Sequence, residues 1–456
     1  MPTEEPTPSS TSAVDWASVR AEALEILRAY LRIDTSNPPG REEAAARYLG
    51  GLLEAEGIPT EYIEIAPERV ALVARLAGEG SRPALMLSNH LDVVPVQREF
   101  WTVDPFGAEV RDGRIYGRGA IDMKSVGVMH LIAVLLLKRL GLPLARDVVF
   151  LAAPDEEAGS THGMAWLVEH RPELFDPLVI ACSLNEGASG MPDFGGRDAH
   201  LFEIAVSEKA MSPLRLRVVG TPGHGSKPAP GNPIVPLIRA LDRLTSWDRH
   251  VELTPATRAY LERLEAGGII ADASDVAAIE ADVKQSPDTE AAFTNTINAT
   301  ILRAGVKNNV IPAVAEAEVD CRLLAGTDPE EWRRQVVERI DDDRVEVTFI
   351  YDHEPEPSVS DWGTEMSELI ETVLREAFED AVVVPSTAIV GTDNRFLRPL
   401  GIPSYGFIPC LLSQEERDGF HANDEYLTVE NFNLGLEVMY EVVRRFCART
   451  DWGWRR

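Results

Sequence analysis

Four short stretches of this chain gather side chains that bind divalent cations or carry protons. They are His90-Leu91-Asp92, Asp122 at the end of Gly117-Arg118-Gly119-Ala120-Ile121-Asp122, the pair Glu156-Glu157, and Glu186 in Asn185-Glu186-Gly187. Imidazole nitrogens mixed with carboxylate oxygens suit zinc or a similar divalent ion. Adjacent carboxylates at Glu156-Glu157 repel unless a cation gives each a separate task. A fifth candidate, His421, lies in the Gly-flanked run Gly419-Phe420-His421-Ala422-Asn423-Asp424-Glu425. Taken singly, each has a plainer reading. A His-x-Asp pair is often a surface or capping pair, and Glu156-Glu157 suits the start of a solvated helix. Asp122 suits a cap on the helix after it, and Glu186 plain loop charge. Context argues for a site: three of the four stretches directly follow a segment that reads as a strand, and open α/β sheets bind ligands at strand carboxyl ends.

The elements that would position these residues alternate along the chain. Apolar periodicity predicts helices over 15–32, with Asp15 as N-cap, and over 42–56. Short apolar runs predict buried strands over 84–88, 147–152 and 178–184, with helices over 124–140 and 161–169 between them. Such alternation predicts a mostly parallel sheet covered on both faces. The middle of the chain changes character. Residues 214–219 alternate and end in the turn Gly220-Thr221-Pro222-Gly223. Over 313–323 the alternation is strict, with Glu316, Glu318, Asp320 and Arg322 on one face, which predicts an antiparallel sheet with one wet side. A helix over 327–340 begins with Asp328 as cap, Pro329 at its first position and two glutamates favoured by the dipole. A strand over 345–351 follows, then a linker at Pro355 and Pro357, a helix over 362–378 and a strand over 403–408. The predicted architecture is an α/β domain with a mixed, mostly parallel sheet, split by a smaller α+β insert. Its boundaries are a disordered tail over 1–14, the first part of the α/β domain over 15–208, the insert over 209–355 and the second part over 356–456.

Composition narrows the class. At 456 residues the chain exceeds one compact core. The net charge of −30, with no basic run, disfavours nucleic acid as a partner, since binding it needs a cationic face. The longest apolar run, 126–137, is interrupted by Gly127 and His130 and is too short for a bilayer. The start of the chain lacks the basic and apolar parts of a signal peptide, so a cytoplasmic location is expected. Cys182, Cys321, Cys410 and Cys447 are scattered and read as reduced core residues. His130, His162, His170, His200, His250 and His353 lack motif support. Of these His130, in an apolar helix, reads as a satisfied core histidine.

The ordered set Ser88-Asn89-His90-Leu91-Asp92-Val93-Val94-Pro95, Gly117-Arg118-Gly119 to Asp122-Met123-Lys124, Asp155-Glu156-Glu157 and Asn185-Glu186-Gly187 resembles the M20 metallopeptidase/aminoacylase family. So do Gly223-His224-Gly225-Ser226, Asn309-Val310-Ile311-Pro312, Gly391-Thr392-Asp393 and His421, and the likeness runs from about Ala17 to Cys447. Ser207-Glu208-Lys209-Ala210 is most like carboxypeptidase S and related N-acyl-amino-acid hydrolases. The resemblance implies two divalent ions per chain, zinc foremost, with cobalt or manganese as alternatives. His90 and Glu186 would hold one, Glu157 and His421 the other, and Asp122 would bridge them. Asp92 would hold the His90 ring by its second nitrogen. Glu156 would be the general base on a water activated by the metals, then carry its proton to the leaving amine. The insert resembles the family's ferredoxin-like lid and dimerisation domain, in which His224 would stabilise the oxyanion. Asn309 and Arg322 would contact substrate, and Arg395 would hold its carboxylate. Arg322 reads equally well as a partner of its acidic strand neighbours, and Arg395 as a solvated loop residue. Some members carry an Arg near the end of the lid, where this chain has Tyr351-Asp352-His353-Glu354-Pro355. The expected function is hydrolysis of an amide or peptide bond next to a free carboxylate, in short peptides or N-acyl amino acids, by a homodimer. The alternative is a catalytically silent member that binds a peptide or amino acid, against which the retained Glu156 argues.

Overall fold

The computed structural model describes residues 14–194, 199–351 and 358–449, and structural statements below concern those residues. Most of the predicted tail, and the lid-end stretch from Asp352 onward, lie outside them.

An eight-stranded mixed sheet carries the fold. Its strand order is Thr60–Ala66, Arg69–Leu76, Val148–Ala153, Ala84–His90, Ile180–Met191, Ser404–Leu411, His200–Glu208 and Ala381–Ala388. Val148–Ala153, Ala84–His90, Ile180–Met191 and Ser404–Leu411 pair in parallel, while Thr60–Ala66 and Arg69–Leu76 add an antiparallel edge. Parallel strands are covered on both faces and read as unbroken apolar runs. Every residue of Ala84–His90 and Val148–Ala153 is buried accordingly.

Contacts divide the chain into two compact units. The first takes in Met1–Phe202, Gly363–Val383 and Leu400–Arg456, the second Glu203–Trp362 and Val384–Pro399. In the first, helix Lys124–Leu140 has the bounds its apolar pattern predicts and ends on Gly141 at φ +59°, a left-handed cap that glycine adopts without strain. It packs on helices Trp16–Leu31 and Val429–Cys447 and is buried continuously from Lys124 to Leu137. His130 is therefore a core residue, as expected, but not a satisfied one. Both its ring nitrogens are buried without a hydrogen-bond partner, because apolar elements surround the helix on every side. Asp15 caps Trp16–Leu31 by accepting the Ser18 N–H.

The second unit is built on an antiparallel sheet ordered Thr296–Ala304, Val314–Leu323, Leu214–Val219 and Glu346–Phe349, with Ala210–Met211 added beside Val314–Leu323. With helices Ile234–Thr245 and Pro329–Ile340 the chain order is strand, helix, strand, strand, helix, strand, the ferredoxin-like arrangement. Strand Val314–Leu323 alternates between half-buried and buried at every step. Ala315, Ala317, Val319, Cys321 and Leu323 join Leu237, Leu244, Trp332 and Val336 in one core, leaving the charged face outward. Asp328 caps Pro329–Ile340 by accepting the N–H groups of Glu330 and Glu331. Among the described residues no helix is long and apolar enough to cross a membrane.

Candidate metal centre

In the first unit, chain segments remote in sequence deliver their ligand-type side chains to one place. His90 is the last residue of its strand, and Glu156-Glu157 follow the strand ending at Ala153. Glu186 departs from expectation. It lies inside the longer strand Ile180–Met191 rather than in a loop after it. The ladder to Ser404–Leu411 slips here, pairing Gly406 with Asn185 and then Ile408 with Ser189. Asp122 precedes helix Lys124–Leu140 without capping it, and His421 occupies a left-handed turn at φ +58°.

Asp122 joins the pieces. Its Oδ1 lies 3.1 Å from His90 Nε2, which is also 3.3 Å from Glu186 Oε1. Its Oδ2 lies 3.1 Å from His421 Nε2, which is 3.4 Å from Glu157 Oε2. Two groups result, His90–Asp122–Glu186 and Asp122–Glu157–His421, in each of which the ligand atoms lie within 4.8 Å of one another. Each offers one imidazole nitrogen and two carboxylate oxygens, with Asp122 shared through its two oxygens.

The electrostatics follow from crowding. Burial by itself would depress the His90 ring, but the Glu186 charge and hydrogen bonds to Asp122 and Asp92 hold its pKa well above the usual value. Contacts with Asp122 and Glu157 lift His421 to about 10. Burial, then the Asp122 charge, pushes Glu186 up to about 8 and raises Glu157 as well. Asp122 stays far below the carboxylate range, because His421 and His90 outweigh its burial. Protons on the imidazoles thus balance the carboxylates. Divalent cations would displace those protons and neutralise the cluster more fully. The buried Glu157 Oε1, without a hydrogen-bond partner, is a further free donor atom for such an ion. The donor set fits two divalent ions.

Backbone anchors fix these ligands. The resemblance assigns the Asp92 carboxylate to the His90 ring, yet His90 Nδ1 is 2.9 Å from the Asp92 backbone oxygen and 3.5 Å from its Oδ1. The carboxylate also accepts the Glu156 N–H and the Glu157 N–H, each at 3.1 Å, and the Asn37 side-chain amide at 2.8 Å. Glu425, which the sequence reading left without a role, accepts from Arg118 Nη1 at 2.7 Å, Gly119 N–H at 3.1 Å, Ile121 N–H at 2.8 Å and Asp122 N–H at 3.3 Å. Its only signal in the sequence was a place in the His421 loop.

The remaining candidates belong to the second unit. His224 and Asn309 are neighbours there: strand Gly223–His224 pairs with Val310–Ile311, and the Gly225 N–H donates to the Asn309 carbonyl at 2.9 Å. Both are exposed. His224 Nδ1 accepts the Ser226 N–H at 3.2 Å and lies 2.8 Å from Ser226 Oγ. Arg322 donates twice to Asp320, at 2.9 and 3.2 Å. The Arg395 guanidinium lies over the Phe396 ring, 4.7 Å from its centroid. In the adjoining Glu208-Lys209 pair, Glu208 accepts from Arg398 and the Thr392 N–H. Buried Lys209 donates to Ala291 O, Thr294 O and Thr296 Oγ1 at 2.9, 2.8 and 3.1 Å.

The profile of peptidase family M20/M25/M40 matches residues 86–445. The chain is 29% identical to aminoacylase-1 of Sus scrofa over 433 residues, covering 92% of this chain and 94% of that protein. It is 28% identical to the N-fatty-acyl-amino acid synthase/hydrolase PM20D1 of Mus musculus over 397 residues, covering 80% and 75%. The fold is that of the M20 family metallo-carboxypeptidase Sso-CP2 from Sulfolobus solfataricus, with TM-score 0.70 at 20% identity over 93% of this chain and 98% of that one. It also matches Bacillus subtilis YXEP, described as a dinuclear metal binding peptidase from the M20 family, with TM-score 0.60 at 14% identity over 94% and 99%. With its profile match spanning most of the sequence and its ligand-type residues gathered in one cluster, the chain belongs to peptidase family M20/M25/M40.

Proposed function

We propose that the protein is a dinuclear metallohydrolase that cleaves an amide bond next to a free carboxylate, in N-acyl amino acids or short peptides. The observation that carries this reading is the sharing of Asp122, whose two oxygens each face a different His–Glu pair. His90, Asp122 and Glu186 would hold one ion, and Asp122, Glu157 and His421 the other. Zinc suits these donors best, and cobalt or manganese could replace it. When bound, the ions supply Lewis-acid polarisation of the scissile carbonyl and acidify the attacking water. Glu156 takes the proton from that water and hands it to the leaving amine. Its backbone is held by Asp92 beside a ligand, which supports the assignment.

His224 supplies a hydrogen bond to the oxyanion. Because its Nδ1 accepts from the Ser226 N–H, the neutral ring carries its proton on Nε2 and is a donor there. Asn309 and Arg395 contact the substrate carboxylate, and Arg322 would join them by exchanging Asp320 for it. The working unit is a homodimer in which His224 serves the partner's centre. Support comes from strand Thr296–Ala304, an exposed sheet edge on which Leu302 is 60% accessible, since open edges are templates for pairing. Four buried, unpaired cysteines accord with a cytoplasmic location.

The test is metal analysis together with activity on a mixed panel of N-acyl amino acids and dipeptides. Two divalent ions with hydrolysis of panel members is the expected result. Metal-loaded protein that binds panel members without cleaving any would show a binding protein instead.

A further inference from the structure

We infer that Arg69 is a positioning residue, a two-sided clamp that sets the Glu156-Glu157 turn through Asp155 and Asn37. The kinetic part of this inference rests on the hydrolytic reading above, while the structural part does not.

One side of the guanidinium faces carboxylates. Arg69 Nη1 donates to Asp155 Oδ1 at 2.5 Å and to Glu42 Oε1 at 3.3 Å. The other side faces an incoming loop, with Arg69 Nη2 donating to Asn37 Oδ1 at 2.9 Å and to the Pro39 carbonyl at 2.8 Å. The chain wraps so closely that a β-carbon at Gly40 would lie 2.3 Å from the guanidinium carbon, and Gly40 has φ +77°.

The contact with Asn37 sets the direction of its amide. With its oxygen turned to Arg69, the Asn37 nitrogen donates to Asp92 Oδ2 at 2.8 Å and to Asp155 Oδ1 at 2.9 Å. The reverse orientation would turn the amide oxygen toward two carboxylates, with no proton between them. Asp92 is thereby fixed to accept the Glu156 and Glu157 N–H groups. Asp155 Oδ2 meanwhile accepts the His162 N–H at 2.7 Å, closing the far end of the turn, and Asp155 itself has φ +71°. The loop is also tied to the strand exit: Asn37 N–H donates to Val93 O at 2.9 Å and Val93 N–H to Thr35 O at 3.1 Å. Asn37, Glu42, Asp92 and Asp155 are all buried. Removing Arg69 takes away the guanidinium that pairs with Glu42 and Asp155 and leaves those buried carboxyl groups without it.

Arg69→Met and Arg69→Lys test the clamp. In metal-free protein, amide exchange at Glu156, Glu157 and His162 should quicken by about tenfold or more in Arg69→Met, the factor expected when charge-assisted hydrogen bonds are lost locally. Exchange in the central strands should stay as it is. In metal-loaded protein, kcat should fall by about 10–100-fold with KM changed less than about threefold, the range typical of residues that orient a metal site. Arg69→Lys keeps the charge but cannot span Asp155 and Asn37 together, so it should recover only part of each loss. Unchanged exchange at the turn would overturn the inference, as would equal acceleration throughout the first unit or full recovery by lysine. If Arg69→Met does not fold, the lysine variant gives the same readout at smaller amplitude. Because exchange is read without metal or substrate, it decides the clamp even if the wild-type protein hydrolyses nothing.

Discussion

The metal cluster and the His224 turn differ in how far each is complete in itself. In the first unit, His90 is 2% exposed, and its charge state is set by neighbours within 3.5 Å. Three of the five ligand residues lean on a second group: Glu157 on Asp92 through its backbone, Asp122 on Glu425, His90 on the Asp92 backbone. In the second unit, His224 is exposed on a two-residue strand paired with Val310–Ile311, and its ring contacts Ser226 of its own turn. A preorganised cluster that is buried on the His90 side can tune protons and cations by itself, because the low dielectric magnifies each contact. An exposed histidine gains comparable strength only when something excludes water around it. On the proposed function, the difference teaches that the cluster supports itself, whereas His224 would need a covering surface before it could act.

The largest expected effect comes from emptying the cluster. Removal of metal by a chelator should abolish hydrolysis, and zinc should restore it. Activity that survives verified removal would break the claim that the first unit holds the reacting centre. Next in size is Glu156→Gln, which removes the proposed proton carrier without touching a proposed ligand. Turnover should fall by roughly 10²–10⁴-fold, the usual scale of general-base catalysis, while both metal equivalents remain. Near-normal turnover would reassign the base.

His224→Ala comes third, at roughly 10²-fold or more in turnover with metals retained, the scale of one lost oxyanion donor. Mixing it with Glu156→Gln sharpens the comparison. If His224 serves the partner, exchanged dimers contain one intact site and activity partly returns. No return after verified subunit exchange would place His224 in its own chain's chemistry or in the fold alone.

What the sequence made legible was local. The helix over 124–140 and the alternation over 313–323 are patterns a single segment carries; the helix reappears with its bounds and the strand with its two faces. The cap at Asp328 is equally local. The ligand types stood out because few other uses explain them together. What stayed hidden was long-range. Asn37 reaches Asp155 across 118 positions, Arg69 reaches it across 86, and Arg118 reaches Glu425 across 307. Nothing near those residues marks them as anchors. Glu186 was placed after its strand because the slip in pairing is set by Ser404–Leu411, a strand far along the chain.

The smallest effect isolates what the carboxylates do for a buried histidine. His130 is as buried as His90 but lacks acidic neighbours, and burial pushes its pKa down to about 3. In the unfolded chain the ring returns to about 6.5. Below that value the unfolded state binds a proton that the folded state refuses, so stability is lost as pH falls from 6.5 toward 3. By pH 5 the loss amounts to about 2 kcal/mol, from some 1.5 pH units below the unfolded value. His130→Leu removes both unpartnered nitrogens and the titration with them. Unfolding of metal-free protein, followed at pH 7.5 and pH 5, should show the variant gaining on the wild type by about 2 kcal/mol on acidification. A gap of the same size at both pH values would mean that His130 accepts a proton inside the fold. Burial would then not be what separates it from His90, and the weight assigned to the carboxylates around His90 would have to be lowered.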